Sequence, residues 1–107
     1  MKRLALALLF FGLALPTSAQ ADTESITHGK GLVEANCSHC HAVGLKDKSP
    51  LEQAPVFRAL AKRYPINALE EAFAEGIVAG HPGMPEFDAT PKQIADTVAY
   101  ISSIQDE

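Results

Sequence analysis

The longest apolar run lies at the start of the chain, from Leu4 to Leu15, broken only by Gly12 and preceded by Lys2-Arg3. Pro16 ends it, and Ala19-Gln20-Ala21 follows as a small-x-small site. A basic start, an apolar run and a small-residue site in that order form a secretory signal. The run falls short of the roughly 20 residues a membrane-crossing helix needs. No cysteine lies near the site, so a lipid anchor has no support. The pattern predicts a signal peptide over 1–21, cleaved after Ala21, and one domain over 22–107 exported to the periplasm. No stable membrane insertion is expected after cleavage.

Beyond the signal the apolar positions recur at helical spacing. Asp22 to Ile26 reads as a polar tail. Thr27 to Asn36 reads as a helix, with Leu32, Val33 and Ala35 among polar residues and Thr27 as its N-cap. Gly29 and Gly31 weaken it unless close backbone packing requires them. Residues 42–55 have loop composition. Val56, Phe57, Leu60 and Ala61 predict a helical stretch to Tyr64, stopped by Pro65. Ile66 to Glu75 is a further helix, with Leu69, Ala72 and Phe73 on one face and Gly76 as its stop. Ile77 to Ala89 carries Gly80, Pro82, Gly83 and Pro85, which forbid a regular element. Thr90-Pro91-Lys92-Gln93 has the form of a capping box opening a last helix to about Ile104, with Ile94, Val98 and Ile101 on one stripe. No segment alternates as a strand does, so the predicted class is all-α.

Composition sharpens this picture. Loss of residues 1–21 leaves 86 residues, with seven basic against thirteen acidic, a formal −6. This balance argues against nucleic acid or anionic lipid as partner, because both need a positive surface. There is no Trp, and two of the five Phe lie in the signal. A core this thin in so short a domain calls for a staple or a large apolar ligand.

The only cysteines stand in Cys37-Ser38-His39-Cys40-His41. C-x-x-C-H is the spacing of covalent c-type haem attachment. Two thiols three positions apart at a helix end can each reach one vinyl group of a porphyrin, and His41 then falls under the iron as proximal ligand. A thioredoxin-like C-x-x-C needs a βαβ setting that is missing here. A zinc site needs a second ligand pair at finger spacing. A disulfide across so small a loop stabilises little.

A second axial ligand must come from elsewhere. Met84 is the only methionine outside the signal, in the stiff loop Pro82-Gly83-Met84-Pro85. A methionine in a polar Pro/Gly loop is poorly placed as core filler, and Met/His ligation is known for cytochromes c. His81 is the competitor, and a His/His pair would lower the potential. His28 and His39 read as solvated, with His39 facing away from the iron.

These features resemble the class I c-type cytochromes over Ile26 to Gln105. The likeness is carried by Gly29, Cys37–His41, Ala54-Pro55, Met84-Pro85 and Val98-Ala99-Tyr100-Ile101. It implies a small all-α fold packed around one covalent haem c with its iron. It also implies a contact between Gly29 and Tyr100 where the first and last helices cross. The Pro55 carbonyl would receive the ring N–H of His41. Where the family often carries an aromatic residue in the first helix this chain has Val33, and in the last helix Thr97 replaces a large aliphatic residue. Both departures imply a lighter helix interface. The family's propionate-binding tryptophan is missing, with Arg63 and Tyr64 as candidate replacements.

The function implied is one-electron transfer, without enzyme activity, to redox proteins such as a periplasmic dehydrogenase, an oxidase or a membrane cytochrome complex. A monomer is expected. The alternatives are a cytochrome subunit dedicated to one dehydrogenase and an open-site haem sensor or enzyme, which Met84 argues against.

Overall fold

The computed structural model describes residues 5, 7–13, 18–76 and 83–106. They form helix α1 (Ser18–Asn36), a 3-10 helix (Phe57–Lys62), α2 (Ile66–Glu75) and α3 (Pro91–Ser103), with no strand among the described residues. The class and element order match the apolar pattern, and two local expectations do not hold.

The first is the start of α1. It begins at Ser18, so Asp22 to Ile26 is helical rather than a tail, and Thr27 lies inside the helix rather than capping it. Ala, Gln and Glu in this stretch favour helix. Tertiary contacts extend the preference: Ile26 packs against the core, and Ser25 helps hold down the pKa of Asp96 in α3. The second is Val56 to Tyr64, where only Phe57–Lys62 coils, as a 3-10 helix. Pro55 and Pro65 bracket it, and Val56 is extended at φ −70° and ψ 136°. Its two buried residues, Phe57 and Leu60, are three apart, the repeat a 3-10 helix places on one face.

The other boundaries follow from local chemistry. Gly76 ends α2 at φ +80°, and its N–H reaches the Phe73 carbonyl at 3.3 Å. At the start of α3, Gln93 N–H donates to the Thr90 hydroxyl at 3.2 Å, and Thr90 N–H donates to the Gln93 side chain at 2.9 Å. Pro91 sits at the first helical position, where no N–H is needed.

Helix α3 is central, packing against both α1 and α2. Val33 of α1 and Ile101 of α3 are fully buried, each contributing about 1.5–3 kcal/mol. The α1–α3 crossing closes at Gly29. A Cβ there would lie 1.9 Å from the Asp96 carbonyl oxygen and 3.0 Å from Tyr100 Cβ, so only glycine permits this approach. Gly31 has open space around it, so packing does not explain its presence.

Asp96 reinforces the crossing. Its buried carboxylate lies 2.6 Å from His28 Nδ1 and accepts from Lys92 Nζ at 2.8 Å. The Lys92 hydrogen bond first, with help from His28 and Ser25, holds the carboxyl below its usual range despite burial. The expectation that His28 is merely solvated is therefore corrected: half its side chain is exposed, but Nδ1 ties α1 to α3.

Candidate functional site

The chain leaves α1 through one more tight turn. Cys37 N–H bonds the Val33 carbonyl at 2.8 Å, and the N–H groups of Cys40 and His41 both reach the Cys37 carbonyl, at 3.2 and 2.9 Å. This turn brings two half-buried, unbonded cysteines and His41 to one end of α1. Burial, and then the nearby Cys40, push the Cys37 thiol up to about 11. A dithiol–disulfide exchanger needs the opposite, a lowered thiol pKa. The zinc reading also lacks its donors: no group of three or more His, Cys, Asp or Glu gathers among the described residues.

Two contacts hold the His41 side chain. Its Nδ1 lies 2.7 Å from the Pro55 carbonyl. A carbonyl only accepts, so Nδ1 carries the proton and Nε2 keeps its lone pair free for a metal. The Phe57 ring packs on the imidazole at 4.9 Å between centroids, tilted by 42°. The residues just after His41 are pinned as well. Phe57 N–H donates to the Ala42 carbonyl at 2.9 Å, Ala42 N–H to the Ser49 hydroxyl at 3.0 Å, and the Tyr100 hydroxyl to the Val43 carbonyl. Burial raises the Tyr100 pKa, so the phenol stays protonated as that donor.

These groups open onto a cavity of about 620 Å³. Cys37, Cys40, His41, Pro55 and Met84 all line it, among apolar walls from Phe57, Leu60, Leu69, Phe73 and Ile101. Met84 is half-buried and follows Gly83, which takes φ +87°. Its loop is anchored to α2 by Phe87, whose ring meets that of Phe73 edge-on at 5.7 Å. His81, the competing ligand, and Pro82 lie outside the described residues.

Of the two propionate candidates, Tyr64 edges the cavity and Arg63 does not. His39 is exposed, as expected, and also borders the cavity. The sequence did not single out Phe57 or the bond from Tyr100 to Val43. The i, i+3 spacing of Phe57 and Leu60 was a signal for the first. The second, between residues 57 positions apart, had none.

A family model for cytochrome c matches residues 26–105. The chain belongs to the cytochrome c family. No curated protein and no solved structure matches it.

As a cytochrome c, the protein carries covalently attached haem c with iron and has a haem-based electron-transfer role, in a family generally made of electron carriers. The cavity fits that group. Its volume lies within the range of small-molecule and cofactor sites, and its walls are apolar with few polar groups. Two free thiols lie at its edge, and a histidine of fixed tautomer and a thioether line it. Cys37 and Cys40 would hold the porphyrin, and His41 and Met84 would hold the iron. When bound, the haem supplies a metal that gains and loses one electron. The chain supplies orientation and exclusion of water.

Proposed function

We propose that this cytochrome c is a periplasmic single-electron carrier, exported by residues 1–21, with haem joined to Cys37 and Cys40 and iron ligated by His41 and Met84. The observation that carries this reading is the shared cavity: it collects both thiols, Met84 and an imidazole whose Nδ1 is committed to Pro55. A thioether is a soft ligand that favours reduced iron, so it suits a carrier of raised potential. Bound to the iron, Met84 would also close it to small molecules, which separates a carrier from a sensor or an enzyme. The partners are redox proteins that meet the protein transiently, and the protein acts as a monomer.

The test is an optical spectrum of protein matured with haem in a periplasm, oxidised and reduced, with and without carbon monoxide. Thioether-bound haem, a methionine–iron charge-transfer band and indifference to carbon monoxide are expected. Ready carbon monoxide binding without that band would favour the open-site reading.

A further inference from the structure

We infer that Gln105 is a positioning residue for His41, acting through the 3-10 helix; this rests on reading His41 as an iron ligand. Gln105 stands just past the end of α3. Its Oε1 accepts from Ala61 N–H at 2.7 Å. Its Nε2 donates to the Phe57 carbonyl at 2.7 Å and to the Ile101 carbonyl at 2.8 Å. An amide nitrogen has two protons, so both are used. The next residue, Asp106, donates its N–H to the Arg58 carbonyl at 2.7 Å. The chain end thus ties three backbone groups of the 3-10 helix to the last turn of α3.

The tied helix begins at Phe57, which touches the His41 region twice. Its ring packs on the imidazole, and its N–H holds the Ala42 carbonyl. Two residues earlier stands Pro55, whose carbonyl receives His41 Nδ1–H. Proline fixes its own φ, and only the extended Val56 separates it from Phe57. A displacement of Phe57 therefore reaches the Pro55 carbonyl with little slack. A short 3-10 helix has poor internal hydrogen-bond geometry, so outside ties decide where it sits.

The consequence is electronic. A firm Nδ1–H···O bond makes the imidazole a more basic ligand, which favours oxidised iron. Without the Gln105 amide the bond loosens, the ring donates less, and the reduced form gains.

The experiment measures reduction potential and thermal melting of haem-loaded wild type, Gln105→Ala and Gln105→Met. His28→Ala serves as a control that weakens the helix crossing away from His41. Both Gln105 variants should shift the equilibrium toward reduced iron by about threefold, or about 28 mV for one electron. His28→Ala should melt earlier at unchanged potential. Gln105 variants that melt earlier at wild-type potential would reduce Gln105 to a simple staple and overturn the inference. A fall in potential, the sign of water entering the cavity, would overturn it too. The underlying reading has its own check: a His41→Ala protein with a wild-type spectrum would remove His41 as ligand, whatever Gln105 does.

Discussion

At the scale of single residues, the site depends on a few side chains with unlike environments. Met84 lines the cavity half-buried, between a glycine of positive φ and a proline. With the proposed ligation, Met84→Ala opens the sixth position, lowers the potential and lets carbon monoxide bind the reduced form. Paired with Met84→Ala/His81→Ala, this also shows whether His81 takes over. Thr97 is a different case. It is 1% exposed, and its hydroxyl has no hydrogen-bond partner. A buried unsatisfied hydroxyl costs about 1–3 kcal/mol. Thr97→Val keeps the shape and removes that cost, so the melting temperature should rise, with a gain of about 1 kcal/mol. A melting curve below wild type would show that the hydroxyl is satisfied in solution.

At the scale of elements, the α1–α3 crossing is the joint that presents the Cys37–His41 turn to the cavity. Gly29→Ala drives a methyl into the Asp96 carbonyl, where backbone has to move. Overpacking of this kind costs about 1–3 kcal/mol, and a loss at the upper end should appear as an earlier melt of the haem-loaded protein. Asp96 gives the same joint a pH dependence. Its folded pKa lies below the unfolded value of about 3.9, so its contribution is complete well above that pH. The contribution is lost as pH falls through the lowered folded value. Asp96→Asn should therefore destabilise the protein at neutral pH and flatten the fall in melting temperature below about pH 4. The loss should be only about 1–2 kcal/mol, because the exposed Lys92 and the half-exposed His28 return to water. An unchanged acid slope in the variant would mean that other carboxylates carry it.

At the scale of the whole molecule, the helices enclose a buried apolar core and, beside it, a cavity of about 620 Å³. Phe57, Leu60, Phe73 and Ile101 are buried and also help form its walls, so a porphyrin held there would add contacts to the core. A ligand that binds only the folded chain stabilises it by mass action. A Cys37→Ala/Cys40→Ala protein made without haem should therefore show weak helical circular dichroism and no cooperative melt. Native-like melting of that protein would show that the helices fold without the porphyrin.

The sequence by itself determined the chemistry and most of the elements. C-x-x-C-H is a local code, and its five residues stay together however the chain folds. Thr90, Pro91, Gln93 and Gly76 set helix ends through contacts within a few residues, so those boundaries were legible. The single Met84 in a proline-bounded loop was legible as well. Only the tertiary structure decided what depends on partners far along the chain. It kept residues 22–26 helical as part of α1, where Ser25 and Ile26 meet α3 and the core. It narrowed Val56–Tyr64 to a 3-10 helix over Phe57–Lys62, because Phe57 and Leu60 face inward together between two prolines. It gave His28 a partner 68 residues away and bound Gln105 to Phe57 across 48. Local propensity reads a few residues at a time, whereas these bonds exist only after the helices have crossed.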